Sequence, residues 1–453
     1  MRTNFFPYRI PAVITLLLST CPPIGAQDQS SLNLGTTIEM ALQNNHLLNA
    51  KRLQVDEKQQ KVNEDKVKYL PVIAIGGSFQ YNSNLPSLTF EQGRFGQLPL
   101  GGVIIPLPAI DETIVMGEHN IYNAGVTFYQ PVTQLGKIKA GVQVSKTDLQ
   151  IARTEENKTA FQIRLAVEKL YFALLILQKQ IEEADLKVKM AETKLNEVEN
   201  ALLAGKTTES SMYGLAASAG DEQQNLLKLK MQFDDYAADL KQLTGINTAD
   251  DLILEPVAAE YLVERTEAID TSLKEASIKN NDLKLATLHR TKAEYSILVS
   301  KLSYLPDLGF LGGYTYQKGT VIYPENNSYI GASLKWNLQE MLSNRTIQRQ
   351  RIYAKEQAEE NLANTREQVN KDIAKAYRKL KQSEELIRVA GKVVKYRSED
   401  LKIQNNERIA GLNLESELLS AKAAVAKAES DYFAAQLNYR IALSELKILT
   451  GNY

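Results

Sequence analysis

The 453-residue chain has one cysteine, one tryptophan and three histidines, and each scarcity removes a class of function. Cys21 has no second cysteine to pair with, so no intramolecular disulfide holds the fold. His46, His119 and His289 are widely separated and lack metal-ligand spacing, so they read as solvated surface histidines. No phosphate-cradling glycine loop, dinucleotide fingerprint or nucleophile elbow occurs, and nothing indicates an enzyme, a catalytic residue, a metal or a cofactor. Charge of one sign is missing as well. The 53 basic and 54 acidic residues leave a formal net charge of −1, which argues against a nucleic-acid partner. Proline is absent between Pro131 and Pro256 and again after Pro324, which leaves room for very long helices.

Long hydrophobic runs are also lacking. Only the N-terminus has a short one: residues 10–20 are largely apolar, flanked by Arg2 and Arg9 and followed by Ile24-Gly25-Ala26. This pattern predicts a signal peptide over 1–26 and an exported mature chain beginning at Gln27. Leu18-Ser19-Thr20-Cys21 resembles a bacterial lipoprotein box, but threonine before the cysteine is a poor match. Cleavage after Ala26, which removes Cys21, is the preferred reading over lipidation there. No later stretch approaches the roughly 18 apolar residues of a spanning helix.

What the chain does have is a duplication. Tyr69-Leu70-Pro71 returns as Tyr304-Leu305-Pro306, and Gly76-Gly77 as Gly312-Gly313. Tyr171 pairs with Tyr377, Gly205 with Gly411 and Gly245 with Gly451; 377 − 171, 411 − 205 and 451 − 245 all give 206. The earlier pairs are offset by 235 and 236, so the first half carries about 30 extra residues. A first repeat over 27–245, a linker over 246–268 and a second repeat over 269–453 follow.

Each repeat reads helix, strand, strand, long helix, turn, helix. Thr36 and Glu39 have capping-box spacing, and a helical pattern runs from there to about Lys66, ended by Pro71. Alternating segments at 72–82, 121–131, 308–317 and 329–337 predict four strands, each with an apolar, aromatic-rich face. Such strands suit a membrane β-barrel or a soluble sheet packed on a core. Four cannot close a barrel alone, so a spanning version requires an oligomer. The Gly- and Pro-rich connection over 83–120 accounts for the extra length and belongs on an exposed face. Residues 136–204 and 342–410 read as helices of about 69 residues, roughly 100 Å long. Helices of about 38 residues run back from Gly205 and Gly411 to Leu-Thr-Gly, and the opening helix could stack end to end on the first of them.

This order of elements resembles the TolC-type outer-membrane factor family across the mature chain. The likeness is carried by the paired Tyr-Leu-Pro segments, Tyr129-Gln130-Pro131-Val132, the Ala-Gly turns and the run Ala410-Gly411-Leu412-Asn413-Leu414-Glu415-Ser416-Glu417. It implies a mainly α fold with a small β part. Three chains would share a twelve-stranded outer-membrane barrel, continued by an α-helical tunnel through the periplasm. It further implies an exit duct for a tripartite efflux pump or type I secretion system, with outer-membrane lipid, a periplasmic adaptor and an inner-membrane transporter as partners. A periplasmic adaptor and a structural coiled-coil protein of the envelope are the competing readings. The first would need a β-rich lipoyl-like flank, and the second would not need aromatic strands.

Candidate residues follow from the same likeness. Ala204, Gly205 and Lys206, with Ala410, Gly411 and Leu412, form tip turns where an adaptor would dock, although glycine also simply ends a helix there. Glu417 falls where the family places an acidic residue at the pore entrance. Ser420 replaces the family's second acid, and Glu417 could equally be an ordinary solvated glutamate. Phe79, Tyr81, Phe128, Tyr129, Tyr314, Tyr316 and Trp336 are candidates for membrane-interface girdles.

Overall fold

The computed structural model describes residues 32–247, 252–256, 269–321, 323–412 and 414–452. The signal segment, Cys21 and most of the 246–268 linker lie outside the described residues.

Four helices dominate. α3 (Gln134–Leu203, 70 residues) and α7 (Leu338–Ile409, 72 residues) are the long outbound helices; α4 (Glu209–Thr244) and α8 (Glu415–Thr450) return for 36 residues each. Opposite charges at i,i+3 and i,i+4 lace their exposed sides, as in Lys189–Asp185 and Lys402–Glu399. The opening helix is not continuous. α1 (Leu34–Asn44) is capped by Asn33, whose side chain accepts from the Thr36 N–H. The expected Thr36–Glu39 capping box is therefore replaced by a cap three residues earlier. Asn45 then takes an extended backbone, and its side chain accepts from the N–H groups of Leu47 and Leu48, starting α2 (His46–Val67) anew. Asn280 repeats the device between α5 (Ile269–Lys279) and α6 (Asn281–Leu302).

These joints receive the returning helices. The Asn44 side-chain amide donates to the Thr244 carbonyl, and that of Asn280 to the Leu449 carbonyl, each at 2.8–2.9 Å. α2 and α4 thus lie along one flank of α3, and α6 and α8 along its other flank and beside α7. Laterally the wall runs α2/α4, α3, α6/α8, α7. α1, α5 and residues 252–256 add a second layer at its middle, where Leu32 and Leu254 form a parallel bridge.

The core lies under that layer. Tyr171 and Phe172 are fully buried in edge-on contact at 6.2 Å, among Val167, Leu174, Leu240 and Leu437. A second cluster joins Ile373, Leu380, Leu443 and Leu446. Each such side chain contributes about 1.5–3 kcal/mol by leaving water, so the middle of the wall is its rigid part.

At one end stands an antiparallel sheet in the order β1 (Val72–Tyr81), β6 (Asn120–Pro131), β7 (Asp307–Lys318), β8 (Asn326–Lys335). The β6–β7 pairing joins the two repeats. Among the described residues no helix covers either face, and β1 is exposed along its whole length. The expected connection over 83–120 contains two small antiparallel strand pairs, one nested within the other, that periodicity missed. β2 (Ser87–Phe90) pairs with β5 (Glu112–Val115), and β3 (Gln97–Leu100) with β4 (Val103–Pro106). Four-residue strands are too short to establish an alternation.

Candidate functional site

Both tip turns close in the same way. Gly205 takes φ 69° and Gly411 φ 73°. The Gly205 N–H donates to Leu202 O and the Lys206 N–H to Ala201 O; Gly411 donates to Arg408 O and Leu412 to Glu407 O. This paired return to the last helical turn is the Schellman arrangement, which glycine enables by tolerating a left-handed backbone. A Cβ on either glycine would meet nothing within 4 Å, so the constraint is conformational and not one of space.

Around the turns the surface is apolar and uncovered. Leu203 is 88% exposed, Ile409 78% and Leu412 79%. Ala204, Lys206 and Ala410 are exposed beside them. Glu417 is exposed in the first turn of α8, and Ser420 is half-buried one turn on. Sequence reasoning missed a contact between the two tips. Leu414, the N-cap of α8, supplies no side-chain cap. Glu197 of α3 does so instead, accepting from Ser416 Oγ at 2.6 Å and from the Ser416 N–H at 3.3 Å. Arg408 pairs with Glu415 at 2.9 Å across the second turn.

The sheet separates its residues sharply. Register places Ile73 opposite Phe128, Ile75 opposite Val126 and Phe79 opposite Tyr122. The same face continues through Tyr314, Tyr316 and Phe310 to Ala332 and Ile330. On it Phe79, Tyr81, Tyr122, Tyr314 and Tyr316 gather toward the hairpin end. Phe128 and Phe310 lie toward the helices, and Trp336, half exposed, follows the end of β8. Phe79 meets Tyr122 at 5.2 Å, and Tyr81 stacks on His119 at 5.8 Å. Phe128 lies over Gly312, where a Cβ would collide with the ring. Tyr129 stands on the opposite face, over Gly309, among Gly125, Thr127, Gly313 and Thr315. Alternation already set Tyr129 apart from Phe128; grouping it by aromatic character hid that.

Two charged or polar clusters tie the wall together. Glu445 of α8 bridges Lys169 of α3 at 2.7 Å and Lys379 of α7 at 3.0 Å. Burial alone would raise its carboxyl pKa, but the hydrogen bonds and charges of the two lysines hold it below the ordinary glutamate value. The Tyr171 hydroxyl lies within hydrogen-bond distance of the Leu32 and Glu255 carbonyls. Burial, reinforced by the Glu255 charge, pushes its pKa up to about 12. Tyr171 therefore acts as a neutral pin between α3 and the outer layer. His119 contacts the Asn82 carbonyl at the hairpin base. No cluster of metal-ligating side chains occurs among the described residues, and none of their helices is long and apolar enough to cross a membrane.

The molecule is thus a helical wall with apolar tips at one end and, at the other, an open sheet whose aromatic side chains gather mainly on one face. A family model described as "Outer membrane efflux protein" matches residues 37–246 and 272–452. The chain belongs to that family of outer-membrane efflux channels, and extends from the outer membrane into the periplasm.

Solved structures share the fold at low identity. VceC of Vibrio cholerae is 15% identical, with 92% of this chain and 96% of that one aligned and a TM-score of 0.69. The CmeC outer membrane channel of Campylobacter jejuni is 15% identical, covering 94% and 87%, with a TM-score of 0.71. The open-state MtrE outer membrane channel of Neisseria gonorrhoeae is 16% identical, covering 92% and 89%, with a TM-score of 0.67. A search of curated protein sequences finds no match.

Proposed function

We propose that three copies of this chain form one passive export duct, gated at its periplasmic end and driven by a separate inner-membrane transporter through a periplasmic adaptor. The observation that carries this reading is the sheet. Among the described residues β1 pairs only with β6 and β8 only with β7, so both edges are open, and one face is predominantly apolar and aromatic, with polar Gln130 near the helices and Asn120, Lys318, Asn326 and Ser328 toward the hairpin end. Lipid cannot satisfy open edges, whereas β8 of one copy pairing with β1 of the next removes them. Twelve strands then enclose a pore, with the aromatic face toward lipid and the glycine-rich face carrying Tyr129 toward the lumen.

Exposed Leu203, Ile409 and Leu412 beside the two glycine turns support the tips as the adaptor's docking surface. Three Glu417 carboxylates near the axis would form a cation-favouring ring at the periplasmic entrance. Native mass spectrometry of detergent-extracted protein, with conductance in planar bilayers, tests the reading. A conducting trimer is expected; a non-conducting monomer or dimer refutes the duct and favours an envelope coiled coil or an adaptor. Glu417→Ala is expected to lower cation selectivity, and unchanged selectivity removes the ring.

A further inference from the structure

Four helices meet at the sheet end of the wall: the end of α2, the start of α3, the end of α6 and the start of α7. A cavity of about 650 Å³ there is lined by all four at once, from Asp65 of α2 to Asn344 of α7. Since α3 and α6 lie between α2 and α7, only the concave side of the arc can be lined by all four. Helix periodicity agrees. Gln150, Arg153 and Thr154 of α3 share a cleft with Ser277 and Ile278 of α5, on the side of the second layer. Gln134, Ile138 and Gly141, which line the cavity, fall about half a turn round α3 from them. In the duct proposed above the wall closes round its concave side, so the cavity faces inward.

Its charge is weighted toward the positive sign. Lys137 and Arg351 have no ion-pair partner among the described residues. Asn344 is only 4% exposed, and its side-chain N–H₂ has no acceptor. The acidic groups are engaged. Asp65 is held by Lys68 at 2.6 Å, Lys61 at 3.6 Å and the Ser145 hydroxyl, and Glu340 accepts from the Asn337 amide. Ser296, Ser300, Ser303 and Ser343 donate their hydroxyl protons to carbonyls of their own helices. The charged groups left without an ion-pair partner are two cations, Lys137 and Arg351, against one carboxylate, Glu340, so the lining keeps an excess of positive charge beside the Asn344 amide donor and apolar walls that include Ile138, Val142, Val299 and Ile347.

We propose that this groove is a binding station for cargo that joins an anionic head (carboxylate, sulfonate or phosphate) to an apolar body. The head is held by Lys137, Arg351 and Asn344 through charge-assisted hydrogen bonds, and the body lies along the valine and isoleucine side chains. The assignment deepens the duct reading and rests on it, because a lumen-facing groove is met by whatever the duct carries.

The test uses the full-length protein purified in neutral detergent, with 2-naphthalenesulfonate as the anionic probe and 2-naphthylmethylammonium as its cationic counterpart. Calorimetric titration is expected to show saturable binding of the sulfonate and none of the ammonium. Lys137→Gln with Arg351→Gln should weaken sulfonate binding at least about tenfold, as expected for lost hydrogen bonds to a charged group. Lys179→Gln with Arg388→Gln, lower on α3 and α7 and outside the groove, is the charge-matched control and should bind as the native protein does. Native mass spectrometry of each variant confirms its assembly state. Equal binding of both probes, or unchanged binding in the double variant, overturns the proposal. A conducting channel without saturable sulfonate binding overturns the groove alone. Sulfonate binding by a protein that never conducts overturns the duct, and with it the role in cargo.

Discussion

Replacing Glu197 by alanine should loosen the start of α8 without disturbing the helix that carries Glu197. The first turn of a helix leaves N–H groups without intrahelical partners, and Leu414 offers no side-chain oxygen to any of them. Glu197 reaches over from α3 to take the Ser416 N–H and the Ser416 hydroxyl, with Ser416 itself only 1% exposed. Losing an N-cap costs about 0.5–2 kcal/mol, and a hydrogen bond to a charged group is worth about 1.5–3 kcal/mol. With allowance for water replacing part of the contact, about 3 kcal/mol is lost, roughly a hundredfold in the local opening equilibrium. Amide hydrogen exchange, read by mass spectrometry on a peptide spanning 415–420, measures that opening directly. The expected result is accelerated exchange in this peptide, with the core peptides around Tyr171 unchanged. Unaltered exchange at the start of α8 would refute the cross-helix cap, and uniform acceleration would show that Glu197 serves global stability instead.

Other consequences can be measured as readily. Gly205→Val and Gly411→Val force a β-branched residue into a left-handed backbone at a cost of about 1–2 kcal/mol each; export is expected to fail while the assembly survives, and unimpaired transport would refute a role for the tips. Gly312→Ala places a methyl group against the Phe128 ring and should lower the yield of assembled protein in the membrane fraction, whereas Gly331→Ala, with only Leu311 nearby, should not. Glu445→Gln removes a carboxylate whose folded pKa lies below 4.5, so its stabilisation is present above that pH and fades as pH falls through the lowered value. The variant should lose about 1–2 kcal/mol at pH 7, seen as a lower unfolding midpoint, and the gap to the native protein should shrink as the pH is taken below the ordinary glutamate range.

Much of this architecture was legible because it is written in features of long range along the chain. Proline-free stretches announced α3 and α7. Glycine at matched offsets gave the tips, and strict alternation gave the four strands to within about three residues at each end. Short-range polar substitutions were harder to read. Asn44-Asn45-His46 contains neither proline nor glycine, so nothing but the asparagine's capping habit marked the break between α1 and α2. The small strand pairs within 83–118 have strands too short for any period to emerge. Glu197 was beyond reach for a different reason: its partner is Ser416, and no local pattern relates two positions that only the packing of α3 against α8 brings together. The apolar residues flanking the tips were visible as letters, but their exposure is a property of the folded surface.

The unpaired edges of β1 and β8 also set an order of events for biogenesis. A single chain carrying its sheet into hydrocarbon would strand two rows of backbone hydrogen-bonding groups, each costing several kcal/mol. In the three-copy duct proposed above, membrane insertion therefore has to follow, or coincide with, association of the copies in the periplasm, where water still solvates the edges. The yield of inserted protein should then rise more steeply than linearly with the amount of chain exported.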